Sequence, residues 1–399
     1  MRRRAWAVFL ATVFALLPVA GCTNEPETPE TREESVTESA AETEPETTTE
    51  AREKAMKPTA FEEDKYYFKD LEDAYAVQIV GRTMYVENDI TMDWSGSGVR
   101  MNVRTEGETM TVSYRNTYPM VFSVYVDGQE TVREICSGQS YLRIPLEAGE
   151  HLVSIIKESG VSIKPEDYSY FCWLRFGGEF LRRPEDQQYF IEVIGDSIAS
   201  GDGAVGVFTP GVDYNYKDHS ARASFGVVAA NLLQADYSLV CRSGIGILKS
   251  RDVVGRPMPD CYDYISPWHD REHLYDFSKR RPDLIILELG ANDGEFTAEE
   301  WVPALDRFVK QIRERNGNVP ILWVGKSTRW YEEVKKYIAE NDVPDMMAMQ
   351  YSYGTSGAGS PATAKAGHPN VQEQYEFGTV VAAFIRENQL LKPRTCYVE

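Results

Sequence analysis

The hydrophobic rhythm of the chain changes twice. From Thr23 to about Pro58 there is almost no large apolar residue, only Thr, Glu, Pro, Ser and Ala in quantity. Such a stretch cannot bury enough surface to offset the entropy of ordering it, which predicts a disordered tether over 23–58. From about Phe61 to Glu185, short runs with partial or clear period-two alternation follow one another between turn residues. They cover 85–90, 99–103, 110–114 and 121–126, the last running into the hairpin dipeptide Asp127-Gly128. A further strand pair is expected at 140–146 and 151–157, flanking Ala148-Gly149-Glu150. Many short strands without a convincing helix predict a β-sandwich over 59–185.

The second change comes at about Pro184. Compact apolar runs at 189–195, 237–241, 284–289 and 321–325 now alternate with helical candidates at 222–234, 298–315 and 328–341. Trp301, Leu305, Phe308 and Ile312 fall on one helical stripe, with Thr297 and Glu300 spaced as a capping box. Asn370 opens a last helix carrying Val371, Tyr375, Val381, Phe384 and Ile385. This rhythm predicts an α/β domain over 186–399, its mostly parallel sheet covered by helices on both faces. Ligands in such folds bind at the C-terminal ends of the strands.

The N-terminus reads as a targeting segment over 1–22. Arg2, Arg3 and Arg4 precede an apolar run that meets Val19-Ala20-Gly21-Cys22. A cysteine directly after those small residues resembles a bacterial lipobox, so Cys22 is the expected lipid attachment point. The mature chain would then be membrane-anchored on the extracytoplasmic face. No other run has the roughly 18 apolar residues a membrane helix needs. The tether carries eleven glutamates against Arg32, Arg52 and Lys54, a large share of the net charge of −20. That balance argues against a nucleic-acid partner, which requires clustered Lys and Arg. Without Cys22, five cysteines remain; Cys136 and Cys172 could pair, or all could be buried thiols.

Chemistry is sought where strands end. The first run of the α/β domain leads into Gly195-Asp196-Ser197, where a glycine turn would expose Ser197 at the sheet edge, as a nucleophile requires. The third leads into Gly290-Ala291-Asn292-Asp293-Gly294, and an Asn amide there could face a developing oxyanion. The second ends in Ser243-Gly244-Ile245-Gly246, whose amides could add a donor or whose glycines could serve close packing. Of five histidines, His368 follows a Gly/Ser/Ala/Thr-rich loop and precedes the final helix. An imidazole, titrating near about 6.5, suits a general base.

Gly195-Asp196-Ser197, Gly244, Gly290-x-Asn292-Asp293 and His368-Pro369, in this order, resemble the four blocks of the SGNH (GDSL-like) hydrolases. The two-domain order resembles carbohydrate esterase family 2, as do Asp93-Trp94-Ser95-Gly96-Ser97-Gly98 and Met258-Pro259-Asp260-Cys261-Tyr262-Asp263-Tyr264. The resemblance implies a jelly-roll-like sandwich joined to a flavodoxin-like three-layer domain. It implies a cofactor-free, metal-free serine esterase that deacetylates polysaccharides or oligosaccharides such as xylan or glucomannan, and a monomer is expected. Ser197 would be the nucleophile and His368 the base, with Ser197 N–H, Gly244 N–H and the Asn292 amide forming an oxyanion hole. In one departure, Lys365 stands where many SGNH enzymes have an aspartate three residues before the histidine, which implies a Ser–His dyad.

Two motif matches point elsewhere. Gly201–206 fits the dinucleotide glycine pattern but does not leave a strand directly. His269-Asp270-Arg271-Glu272-His273 fits an inverted zinc-peptidase pattern, with Glu340 the nearest idea for a third ligand, but its surroundings read as a loop. The rival class is a non-catalytic cell-surface glycan-binding lipoprotein, with Trp94, Trp268 and Trp330 as exposed sugar platforms.

Overall fold

The structure, a computed structural model, describes residues 56–160, 164, 166–206, 216–251, 255–326, 328–341, 343–352 and 368–392. The expectations of a leader and lipidated Cys22, of a disordered stretch up to residue 55, and of Lys365 in place of an aspartate concern residues outside that set, as does Cys396. Among the described residues, no helix is long and apolar enough to cross a membrane.

In the N-terminal region ten strands join in one curled, jelly-roll-like sheet. The long strand Thr109–Val126 organises it. Thr111–Asn116 pair with the strand Ser169–Arg175, whereas Phe122–Val126 pair with Ala148–Lys157. The register breaks between Asn116 and Met120, around Pro119, which has no N–H to give a ladder. That break lets one strand serve two partners and bends the sheet around Phe68, Met101, Val112, Phe122, Val124 and Phe171.

Three local expectations are corrected. Residues 85–90 are two short strands, Tyr85–Val86 and Asp89–Thr91, joined by a turn in which Glu87 has φ +56°. The runs at 110–114 and 121–126 belong to one strand rather than two. The expected pair at 140–146 and 151–157 is not a pair. Gln129–Pro145 runs along Thr109–Val126 from the Asp127-Gly128 hairpin, whereas Ala148–Lys157 lies between Gly98–Glu106 and Thr109–Val126. Asp127 and Gly128 both have positive φ, the conformation a two-residue hairpin needs.

The α/β region contains five parallel strands: β1 Tyr189–Gly195, β2 Ala235–Cys241, β3 Leu284–Glu288, β4 Ile321–Gly325 and β5 Met346–Gln350. Their spatial order is 2-1-3-4-5, the flavodoxin-like winding, and direction reverses between β1 and β3. Four helices complete the layers: α1 Phe225–Leu232, α2 Ala298–Asn316, α3 Thr328–Asn341 and α4 Val371–Glu387. Alternation along the strands divides the core. Ile191, Val193, Leu239 and Ile286 meet Phe225, Val227, Phe377 and Val381 of α1 and α4. Ile194, Val240, Ile285 and Leu287 meet Trp301, Phe308, Trp330 and Val334 of α2 and α3. The Thr297–Glu300 capping box forms as expected, and a second one, Asn370 with Glu373, starts α4.

One fully buried lysine makes stability depend on pH. Lys157 Nζ donates to the carbonyls of Asp93 (2.7 Å), Ser159 (2.9 Å) and Gly160 (3.0 Å). Burial lowers its pKa to about 7, with Asp93 opposing the shift. The unfolded chain therefore holds more protons than the folded one between pH about 7 and the ordinary lysine range near about 10.4. Stability from this group rises with pH across that window, by up to about 1.4 kcal/mol per pH unit. The buried thiols act oppositely above about pH 8.5, because burial raises their pKa values. Urea midpoints of wild type and Lys157→Met, compared at pH 7.0 to 8.5, should show the positive slope only in wild type. Equal slopes would mean that Lys157 keeps its proton throughout.

Candidate active site

The topology brings Gly195, Cys241 and Glu288 into register at one sheet edge, because β1 pairs Gly195 with both neighbours. Gly195 has no room for a side chain: a Cβ there would lie 2.5 Å from that of Ala199 and 3.0 Å from the Glu288 carbonyl. The chain then turns, with Asp196 Oδ1 accepting from Ile198 N–H at 3.0 Å. Ser197 follows at the switch point between β1 and β3, and is 8% exposed.

His368 reaches the same point from the far end of the chain. Its Nε2 lies 2.7 Å from Ser197 Oγ across 171 positions of sequence. Two features hold it there. Asn370 caps α4 by accepting from Glu373 N–H at 2.9 Å, which fixes where the loop becomes helix. One turn on, the buried Gln374 donates to Ile198 O (3.0 Å) and accepts from Phe225 N–H (2.8 Å), tying α4 to the serine turn and to α1.

The Asn292 turn is fastened from three sides. Trp330 Nε1 donates to Gly290 O at 2.9 Å, and a Cβ on Gly290, at φ +128°, would press against the Trp330 ring. Asp293 accepts backbone N–H groups from Ile247 (2.9 Å) and Leu248 (3.0 Å), binding the loop after β2 to this turn. Asn292 Nδ2 donates to Asp196 Oδ2 (3.0 Å) and to Ile245 O (2.9 Å). Those two bonds draw together the Ser197 turn, the Gly244-Ile245 loop and Asn292. Gly244 sits in that loop at φ +79°.

Sequence reasoning missed the groups beneath this cluster. Asp196 and Glu288 are both buried, and Glu288 Oε2 accepts from the Asp196 N–H at 3.4 Å. Burial raises the pKa of Asp196, opposed by the Ile198 N–H, by Glu288 and by the charge of His368. Burial, then the Asp196 charge, pushes Glu288 well above the usual carboxylate range. Burial and these two carboxyls also keep the neighbouring Cys241 a thiol. A glutamate closing the run Leu284-Ile285-Ile286-Leu287 was the available signal, since every other position of that strand is apolar.

Other expectations fare differently. Trp94, Trp268 and Trp330 are buried, so they are no exposed platforms. Trp94 and Trp268 meet edge-on at 5.8 Å, and Trp330 stacks on Trp301 at 4.4 Å. The four described cysteines are all unpaired, which settles Cys136 and Cys172 as free thiols. The zinc-like motif lies on a hairpin, Tyr264–Ser266 with Asp270–Leu274, not on a helix. His269 Nδ1 contacts Asp93 at 3.0 Å, and His273 Nδ1 contacts Asp270 at 2.6 Å. Among the described residues no group of three or more His, Cys, Asp and Glu is set to hold a metal.

No family model matches the chain. It is 26% identical over 268 residues to an acetylxylan esterase / glucomannan deacetylase of Cellvibrio japonicus, covering 62% of this chain and 70% of that protein. It is 28% identical over 240 residues to the cellulase/esterase CelE of Acetivibrio thermocellus, covering 57% of this chain and 28% of that protein. Among solved structures, a family two carbohydrate esterase from Clostridium thermocellum in complex with cellohexaose superposes with a TM-score of 0.71. That match has 21% identity and covers 78% of this chain and 99% of that one. The acetyl xylan esterase Est2A of Butyrivibrio proteoclasticus gives 0.70 at 20% identity, covering 79% and 96%. The curled-sheet-plus-α/β architecture is therefore that of these esterases.

Proposed function

We propose that this chain, an ester hydrolase, removes O-acetyl groups from polysaccharides or oligosaccharides outside the cell, with a serine as its nucleophile. The observation that carries the reading is the 2.7 Å separation of His368 Nε2 and Ser197 Oγ. A serine hydroxyl becomes a useful nucleophile only when a base within hydrogen-bond reach takes its proton. As Ser197 Oγ attacks the acetyl carbonyl, its proton passes to His368 Nε2. The tetrahedral oxyanion is met by Ser197 N–H, Gly244 N–H and the Asn292 amide. Collapse breaks the bond to the sugar oxygen, which leaves with the proton from His368, and acetyl-Ser197 remains. Water then attacks with His368 again as base, acetate departs, and Ser197 recovers its proton.

Similarity to acetylxylan and glucomannan deacetylases supports acetylated hemicellulose as the substrate class. The apolar leader ending at Cys22 supports export and lipid anchoring, with the acidic stretch as a spacer. The direct experiment is acetate release from acetylated xylan, acetylated glucomannan, acetylated chitin oligomers and lipid esters. Release chiefly from the first two is expected. Hydrolysis confined to lipid esters would overturn the substrate class, and no release from any would overturn the reaction. Loss of fatty-acid labelling in Cys22→Ser, with labelling in wild type, is the expected result for the anchor.

A further inference from the structure

The end of β3 holds an acid that the Ser197, Gly244, Asn292 and His368 set does not use. Glu288 is 4% exposed, and its Oε2 lies 3.4 Å from the backbone nitrogen of the equally buried Asp196, the residue directly before Ser197. Two interacting carboxylates away from water cannot both be ionised, so the pair holds one proton. The neighbouring donors decide where it resides. Asp196 accepts from Ile198 N–H (3.0 Å) and Asn292 Nδ2 (3.0 Å), and its charge acts on His368. Glu288 accepts the longer bond from Asp196 N–H, at 3.4 Å. The negative charge therefore belongs on Asp196 and the proton on Glu288.

We propose, resting on the esterase reading above, that Glu288 is a positioning residue: a neutral acid donating its O–H to the Asp196 carboxylate. The pair then keeps one negative charge between the Asn292 amide and His368. Two consequences follow for the chemistry. Both amide hydrogens of Asn292 are engaged, by Asp196 and by Ile245 O, so an oxyanion must draw one away. A carboxylate already accepting from Glu288 is a weaker competitor for that hydrogen. The same single charge stabilises the imidazolium formed when His368 takes the Ser197 proton. The other titratable groups around the pair leave this state intact. Cys241 on β2 is a buried thiol, Glu192 is paired with Arg82, and Asp202 is paired with His219 at 2.7 Å.

The test uses Glu288→Met, which keeps the shape without a donor, and Glu288→Gln, which keeps a neutral donor. Kinetics on an aryl acetate are read beside urea stability and the affinity of a tetrahedral boronic acid. In Glu288→Met, kcat should fall about 10- to 100-fold, KM should stay within about twofold, and boronate affinity should fall with kcat. Glu288→Gln should recover most of both losses. The proposal is overturned if folded Glu288→Met matches wild type, or if folded Glu288→Gln loses about 100-fold or more. The second arm stands even if the Met variant does not fold. Ser197→Ala in the same assay separates this proposal from the reading beneath it. Activity surviving there overturns the esterase mechanism, whereas an inactive Ser197→Ala beside unchanged Glu288 variants overturns only the role of Glu288.

Discussion

Ser197→Ala is expected to lower kcat for acetyl-ester hydrolysis by about 10⁴-fold or more, and His368→Ala by a similar factor. The two residues act as one unit: the base has nothing to do without the hydroxyl, and the hydroxyl is inert without the base. Their losses should therefore not add, and the double variant should be no slower than the worse single one. What remains, about 10³-fold over water, belongs to the oxyanion donors and to binding. Folding should be little affected, since the Ser197 hydroxyl fills almost no core volume and His368 sits on a loop before α4. Turnover of an aryl acetate checks the rates, and urea midpoints check the fold. Added imidazole should restore part of the activity to His368→Ala and none to Ser197→Ala. Turnover of Ser197→Ala within tenfold of wild type would exclude Ser197 as the nucleophile.

Four residues of this cluster were legible because each stands at the boundary of a patterned element. Ser197, Gly244 and Asn292 follow strand ends, and His368 precedes a capped helix. The strand ends were plain for β1, β2, β3 and β4, which are rich in Ile, Val and Leu. β5 escaped notice because Met346-Met347-Ala348-Met349-Gln350 has no β-branched residue, and pairing with β4 makes it a strand. In the curled sheet, periodicity identified part of the strands, not Gln78–Val80 or Ser169–Arg175, and not their partners. Pro119 marks where the ladder of Thr109–Val126 breaks, but no local pattern says that the strand changes partner there, from Ser169–Arg175 to Ala148–Lys157.

Asp196 illustrates the harder limit. Its residue type was visible, but its partner Glu288 is 92 positions away, and neither acquires an unusual proton affinity until the fold buries both. Pattern reading finds residues that mark an element's end. It misses those whose chemistry is created by a neighbour from another strand, which is why the cluster was legible and the layer beneath it was not.

The same limit concealed the largest expected stability effect. Arg82, between two short strands of the N-terminal region, is fully buried and forks onto Glu192 of β1, with Nη2 at 2.9 and 3.0 Å and Nε at 3.2 Å. Its Nη1 donates to Tyr262 O. The Tyr275 and Tyr262 rings lie 4.3 and 4.7 Å from the guanidinium carbon. Tyr262 Oη adds a bond to Glu192 at 2.8 Å, and Asn316 of α2 donates to that hydroxyl at 2.7 Å. Removing one partner leaves the other charge buried without compensation, which costs about 3–5 kcal/mol, whereas removing both spares that penalty. Glu192→Ala and Arg82→Ala should each lower urea-derived stability by about that amount, and Arg82→Met with Glu192→Leu should lose less than either. The sign of that comparison decides the role of the pair. If the apolar double variant is as stable as wild type and as active on aryl acetate, the pair adds no net stability and the loss in each single variant is the cost of an unpaired buried charge. If it is less stable than both single variants, the network itself stabilises the contact, and the buried-charge argument fails.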